Sequence, residues 1–133
     1  MFRTLLLLSL CFFGCASTET VNIPPLPVGE GGIAYADLMV RLRTHSTQAI
    51  EAYYRDEWES VAGAGRMIEQ TANFLPRATQ IPAHMMKRVG EEAERMTASA
   101  HALTLAGERA DAKTINETLS RIQFQIRTLQ ASK

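Results

Sequence analysis

The sequence DAKTINETLSRIQFQIRTLQ, at residues 111–130, decides the fold of this chain. Its aliphatic residues recur at spacings of four, three, four and three, and they are Ile115, Leu119, Ile122, Ile126 and Leu129. Residues at these spacings share one face of an α-helix, so the stretch predicts a strongly amphipathic helix. Asp111 suits the N-cap position of this helix. One buried stripe needs partners, which we expect to be other helices.

Three further helices are predicted before it, at residues 35–54, 57–75 and 82–106. Asp56 is the predicted N-cap of the second helix and Pro76 ends it. Pro82 suits the first turn of the third helix, and Gly107 fits the position after its end. Gly63 and Gly65 leave room for a close helix neighbour. In the first helix, the residues at helical spacing are Leu38, Leu42, His45, Ala49 and Tyr53, with Met39, Ser46 and Ile50 beside them. The apolar set of the second helix is Trp58, Val61, Ala62, Met67, Ile68, Ala72 and Leu75. The predicted buried stripe of the third helix is Met85, Met86, Val89, Ala93, Met96, Ala100 and Leu103.

Four helices joined by short connections predict an all-α fold, an up-down-up-down antiparallel four-helix bundle, over residues 33–133. No alternating apolar pattern of the kind that predicts strands occurs in the sequence. The bundle domain has about 100 residues, which is enough for one small core.

The first fifteen residues, MFRTLLLLSLCFFGC, are typical of an export signal. Arg3 provides a positive start, and the apolar run of residues 5–13 is too short to span a bilayer. Gly14-Cys15 resembles the end of a bacterial lipoprotein signal, with Phe12 and Phe13 at the two preceding positions. This resemblance implies that residues 1–14 are removed and that Cys15 carries acyl chains, palmitate among them.

The expected location is therefore the bacterial cell envelope, on the periplasmic side, with the lipid on Cys15 as the membrane anchor. The alternative is cleavage near Ala16, which would release a soluble periplasmic protein. Cys11 leaves with the signal, so no disulfide is expected.

Residues 15–32 follow as a tether rich in proline and glycine, with Pro24-Pro25, Pro27 and the run GEGG at residues 29–32. Such a spacer would hold the domain away from the membrane surface. The alternative is an arm that lies on the domain, for which Val21, Ile23 and Leu26 could supply contacts.

Charge and motifs exclude several functions. Lys plus Arg and Asp plus Glu both number 14, so neither nucleic-acid binding nor a polybasic membrane segment is expected. Phosphate-binding and dinucleotide-binding loops, nucleophile elbows and paired Glu-x-x-His motifs are absent from the sequence. We predict that the chain is not an enzyme. Glu91, Glu92 and Glu94 are interpreted as a solvated face, and the methionines as core filler.

The layout resembles two families of exported four-helix bundles, cytochrome c-prime and the soluble periplasmic cytochrome b. The last helix of cytochrome c-prime carries Cys-x-x-Cys-His-x-x-Tyr-Arg, where this chain has LSRIQFQIR at residues 119–127. Leu119 and Ile122 stand in the places of the cysteines, Gln123 in that of the axial histidine and Ile126 in that of the tyrosine, while Arg127 matches the arginine.

The resemblance implies a bundle without haem. Covalent attachment needs Cys-x-x-Cys-His, which occurs nowhere in the chain. Met39 occupies the region of the axial methionine of the soluble cytochrome b, but the last helix has no histidine to pair with it. We therefore expect no cofactor and no metal site. Leu119, Ile122 and Ile126 should form the core where the haem would lie.

Two functions follow as expectations. The first is a non-catalytic, lipid-anchored envelope protein whose bundle serves as a structural or protein-interaction module, with an unknown envelope protein as its partner. The alternative is a periplasmic bundle that binds a small ligand, either non-covalent haem or another apolar molecule, between its helices.

Overall fold

The computed structural model describes residues 23–26 and 32–131. The predicted signal at residues 1–14, the lipid attachment site Cys15 and Val21 lie outside the described residues. The described part forms four α-helices: α1 (Tyr35–Tyr54), α2 (Trp58–Ala72), α3 (Val89–Glu108) and α4 (Ala112–Gln130). A short 3-10 helix (Leu75–Arg77) lies between α2 and α3. The chain is therefore all-helical in this part, as predicted.

The four helices share one core. Each helix packs against the next along the chain, and α1 also packs against α4. Tyr35 at the start of α1 donates its hydroxyl to the Leu129 carbonyl near the end of α4, at 2.9 Å. Among the described helices, none is both long enough and apolar enough to cross a bilayer.

The predicted bounds of the first and last helices are confirmed. The side chain of Asp111 accepts a hydrogen bond from the Thr114 amide at 3.1 Å, which is the predicted cap. The hydroxyl of Thr114 donates to the same carboxylate, and these bonds hold the pKa of Asp111 below its ordinary value. The five aliphatic residues that define the stripe of α4 are all buried.

Asp56 is not the N-cap of α2, as the sequence had suggested. It adopts a left-handed φ of 56° and ends α1 instead. The Glu57 amide donates to the Ala52 carbonyl and the Asp56 amide to that of Tyr53, which is the Schellman pattern of a helix C-terminus. Aspartate tolerates the left-handed conformation that this motif needs.

Gly107 does not follow the end of α3, because that helix continues to Glu108. The left-handed position after its end is Ala110, at a φ of 53°. Gly107 instead lies where α3 crosses α2. A Cβ atom on it would be 2.7 Å from the backbone nitrogen of Ala62. Gly65 meets the side chain and backbone of Thr104 in the same way. Gly63 faces open space, so the predicted packing role is confirmed for Gly65 only.

The second helix ends earlier than predicted, and the third helix begins later than predicted. Helix α2 ends at Ala72 and α3 begins only at Val89, so residues 73–88 form a connection with the short 3-10 helix and turns. Met85 and Arg88 donate their amides to residues three positions back, which makes turns instead of α-helix. Met86, predicted to be buried, is consequently 67% exposed, while Met85 is buried in the core.

The connection is fixed across the end of the bundle by the segment before α1. The Thr79 amide donates to the Ile33 carbonyl, and the Tyr35 amide donates to the Thr79 carbonyl, both at 2.9 Å. The four described residues 23–26 of the predicted tether also lie on the domain. Arg41 donates to the Pro24 carbonyl at 2.6 Å, and Leu26 packs against the core. Residues 23–26 therefore make the contacts expected of an arm that lies on the domain, which was the alternative to a free tether.

Candidate functional site

The interior around the predicted core residues of α4 is filled by side chains. Leu119, Ile122 and Ile126 are buried in the common core, and Ile122 has no exposed surface. Met39 is buried in the same core. Gln123, in the place of the axial histidine, is exposed. The large residues with less than 2% exposure include Leu38, Leu42, Met96 and Leu103, contributed by α1 and α3.

A groove between α1 and α2 is lined in part by a buried titratable side chain, His45. It has a volume of about 670 Å³ and is lined by His45, Gln48, Ser60, Gly63, Ala64 and Met67, with charged side chains at Glu51, Arg55, Glu57 and Arg66. Gly63 widens it, because a Cβ there would meet nothing within 4 Å. A glycine inside a helix costs about 1 kcal/mol relative to alanine, and no steric need accounts for that cost here.

His45 borders this groove and is only 4% exposed. Its Nδ1 lies 3.0 Å from Oε1 of Gln48. An amide oxygen only accepts, so Nδ1 carries the proton and Nε2 keeps a free lone pair. Nε2 is buried and has no hydrogen-bond partner among the described residues. A buried nitrogen of this kind can accept a hydrogen bond from a ligand or coordinate a metal ion.

Burial lowers the pKa of His45 below 6.5. The hydrogen bond with Gln48 raises this pKa, and the positive charge of the nearby Arg41 lowers it further. The unfolded chain therefore binds a proton at His45 in a pH range where the folded chain does not. The contribution of His45 to stability is present above pH 6.5 and is lost as the pH falls towards the lowered pKa.

We expect the free energy of unfolding to decrease between about pH 7.5 and about pH 5.5, and to decrease less in the His45→Gln variant. Urea titrations of both proteins at the two pH values measure the difference. Equal losses in the two proteins would show that His45 does not titrate with unfolding.

The prediction that Glu91, Glu92 and Glu94 form a solvated face is wrong for Glu92, which is only 3% exposed. Its carboxylate accepts from Arg88 at 3.1 Å and from Arg95 at 3.2 Å. Arg95 also pairs with Glu91. The buried carboxylate thus has two cationic partners that keep more than half of their side-chain surface in solvent.

Tyr35 lies beside this carboxylate at the end of the bundle where α1 begins. Burial, together with the negative charge of Glu92, raises the pKa of the Tyr35 phenol to about 12. The phenol therefore remains a hydrogen-bond donor to Leu129 at neutral pH. These contacts join α1, α3 and α4, so we assign the cluster a structural role.

Gln125 is a second buried polar residue that the apolar pattern did not reveal. It is 8% exposed, and its Nε2 donates to the Arg95 carbonyl at 3.2 Å. Both Glu92 and Gln125 lie on the buried faces of their helices, one position from Ala93 and Ile126 respectively. Their position on the buried face of each helix predicts their burial if polar residues are included in the helical pattern.

The three histidines are not brought together. His45 lies in the groove between α1 and α2, and His101 lies between α2 and α3, where its Nδ1 is 3.7 Å from Oε2 of Glu69. Glu94 shares the cavity of His101 and not that of His45. Within residues 23–26 and 32–131, no group of three or more His, Cys, Asp or Glu side chains is arranged to hold a metal ion.

Comparisons with known proteins identify no relative. No family model, no curated protein and no solved structure matches the chain.

Proposed function

We propose that this chain is an exported, lipid-anchored protein of the bacterial cell envelope, whose helical domain acts as a structural or protein-interaction module without catalysis. The observation that carries the proposal is the sequence of residues 1–15, in which a short apolar run after Arg3 ends at Gly14-Cys15. The acylated Cys15 is the membrane anchor, and an envelope protein is the partner.

The proposed architecture is an up-down-up-down bundle. The connections at residues 55–57 and 109–111 are too short to let successive helices run in the same direction. The contact of Tyr35 with Leu129 supports the same arrangement, since it joins the first residue of α1 to the last turn of α4.

The resemblance to cytochrome c-prime and the soluble cytochrome b enters this proposal as an architecture without haem. The support is the packed position of Leu119, Ile122 and Ile126 and the exposure of Gln123. A porphyrin at the corresponding place would have to displace buried side chains, each of which contributes roughly 1.5–3 kcal/mol through its burial.

We expect Cys15→Ala to move the protein out of the membrane fraction or to leave it unprocessed with residues 1–14 attached. The thiol is the acylation site, and without it neither the lipid nor the cleavage that depends on it can form. Cell fractionation with mass spectrometry of the N-terminus measures both outcomes. A matched control is Ser17→Ala, which should stay lipidated. An unmodified wild-type N-terminus at Ser17 would contradict the anchor and favour a soluble periplasmic protein.

A second candidate, a small-ligand-binding bundle, is favoured by His45, which lines a groove of about 670 Å³ and whose buried Nε2 has no hydrogen-bond partner among the described residues. Non-covalent haem or another largely apolar molecule is the candidate ligand. An absorbance spectrum of protein purified from its native host separates the two functions. A Soret band that is lost in His45→Gln would favour ligand binding, and its absence from the wild-type protein would count against haem.

A further inference from the structure

We infer that the groove between α1 and α4 binds the phosphate group of a small organic phosphate. The groove contains a cavity of about 290 Å³, which we call the α1–α4 cavity. Its polar lining residues are Arg43, Ser46 and Thr47 of α1 and Gln123, Arg127 and Gln130 of α4. Each of these side chains can donate a hydrogen bond, and no acidic residue lines the cavity. The inference goes beyond the proposed envelope function and does not depend on the lipid anchor.

The turns of α1 and α4 that border the α1–α4 cavity carry only positive charge. Residues 38–50 and 118–131 include four arginines and no Asp or Glu. The arginines are Arg41, Arg43, Arg121 and Arg127, of which Arg43 and Arg127 line the cavity. An anion in the cavity is therefore attracted by both of the helices that form its walls.

Acidic side chains around this part of the bundle have other neighbours. Glu51, the first acidic residue after the α1 stretch, pairs with Arg55 at 3.9 Å. Asp37, the last one before it, lines a different cavity together with Arg41. The buried Glu92 of α3 has its two arginine partners. None of these carboxylates lines the α1–α4 cavity.

The two arginines of the cavity have no acidic partner within the described residues. Arg127 lies in the last turn of α4, where a cation interacts favourably with the helix dipole. Arg43 lies in the middle of α1, so the dipole does not account for it. Two like charges on one cavity repel each other, and an anion bound between them replaces this repulsion with attraction.

Ser46 provides an independent observation at the same place. It lines the cavity at 3% exposure, and its Oγ has no hydrogen-bond partner among the described residues. Five other helical hydroxyls donate to the carbonyl four positions back, and they belong to Thr44, Thr71, Thr104, Ser120 and Thr128. A buried hydroxyl without a partner is costly. Rotation about its single side-chain torsion brings Oγ towards an acceptor oxygen in the cavity.

The donor set matches a phosphate monoester better than a carboxylate. A monoester carries a charge of about −1.5 to −2 at neutral pH and has three strong acceptor oxygens. Arg43 and Arg127 supply two positive charges, and the forked guanidinium group binds such oxygens in pairs. A carboxylate has a single negative charge and would leave one of the two arginines uncompensated.

A second cavity in the same groove has room for the organic part of the ligand. It has a volume of about 170 Å³ and shares Gln123 with the α1–α4 cavity. Asn116 and Ser120 are its other polar lining residues apart from two tyrosines. The hydroxyl groups of a small polyol phosphate would find hydrogen-bond partners there. We therefore expect a monoester to bind more tightly than inorganic phosphate.

The test is isothermal titration calorimetry of the full-length protein, isolated as its host processes it and kept in a neutral detergent. Glycerol 3-phosphate is the probe, and inorganic phosphate and glycerol are compared with it at constant ionic strength. We expect one site for glycerol 3-phosphate, weaker binding of inorganic phosphate and no binding of glycerol.

A matched set of variants tests the charges. Arg43→Gln and Arg127→Gln should each weaken the binding of glycerol 3-phosphate by about tenfold, because each removes charge-assisted hydrogen bonds. Arg121→Gln is the control, since it makes the same change in net charge on α4 but does not line the cavity. It should weaken binding by less than about twofold, because a distant exposed charge is screened by salt.

Ser46→Ala separates ligand binding from folding. Without ligand, its melting temperature should equal or exceed that of the wild type, because the variant loses a buried hydroxyl that had no partner. It should still weaken the binding of glycerol 3-phosphate by about fivefold. A lower melting temperature together with unchanged binding would mean that the hydroxyl serves the fold and not a ligand.

Three further outcomes would overturn the inference. They are no binding of glycerol 3-phosphate to the wild type, equal affinities for glycerol 3-phosphate and inorganic phosphate, or equal losses in Arg121→Gln and Arg127→Gln. Circular dichroism of each variant verifies that the helices are intact. Failure of the proposed anchor would leave the binding results unchanged, because every residue of the cavity belongs to α1 or α4.

Discussion

Ile122→Ala is expected to lower the free energy of unfolding by about 2–5 kcal/mol. Ile122 has no exposed surface and lies in the core to which α1, α3 and α4 contribute. Truncation removes buried methyl and methylene groups, and it leaves a cavity that the surrounding side chains fill only partly. Urea denaturation followed by far-UV circular dichroism measures the change.

The neighbouring residue supplies the control. Gln123 is exposed, and Gln123→Ala should change the free energy of unfolding by less than about 0.5 kcal/mol. The contrast between adjacent positions tests the orientation of α4 and not only its presence. A neutral Ile122→Ala together with a severe Gln123→Ala would mean that a polar side chain occupies the centre, and ligand binding would then become the better proposal.

The first and last helices are the parts of the fold that the sequence predicts accurately. The bounds of α1 and the Asp111 cap of α4 follow from local patterns, since a cap bond joins residues three positions apart. The buried stripe of α4 follows likewise from its spacings. Local chemistry and tertiary packing agree in these two helices.

The connection at residues 73–88 could not be predicted in this way. Its path depends on the hydrogen bonds of Thr79 to Ile33 and Tyr35, which are more than 40 residues away along the chain. Pro82 and the apolar residues after it have a helical pattern, but the tie at Thr79 and the burial of Met85 give turns instead.

The candidate site likewise combines features that local sequence predicts with features that depend on packing. His45 lies at helical spacing with Leu42 and Ala49, but its near-complete burial depends on how the helices pack. The groove beside it depends on how α1 and α2 pack around Gly63, which no local sequence pattern specifies. The charge of Glu92 predicts exposure, whereas its helical position beside Ala93 buries it, and Arg88 and Arg95, four and three residues away, neutralise it.

Gly107 supports a second stability prediction, and the expected loss of unfolding free energy is similar in size to that of Ile122→Ala. Gly107→Leu should lower the free energy of unfolding by about 3 kcal/mol, the upper end of the usual cost of overpacking. A Cβ at this position would lie 2.7 Å from the nitrogen and 3.0 Å from the Cα atom of Ala62. These are backbone atoms, so relief requires α2 and α3 to move apart, which would also disturb the contact of Gly65 with Thr104.

Gly63→Leu is the matched control, because the same substitution in α2 meets nothing within 4 Å of the new Cβ. It should stabilise the protein by up to about 1 kcal/mol through helix propensity alone. If α2 and α3 cross at Gly107, thermal or urea unfolding should show changes in stability of opposite sign for the two variants. Equal effects of the two substitutions would mean that the helices are farther apart at this point.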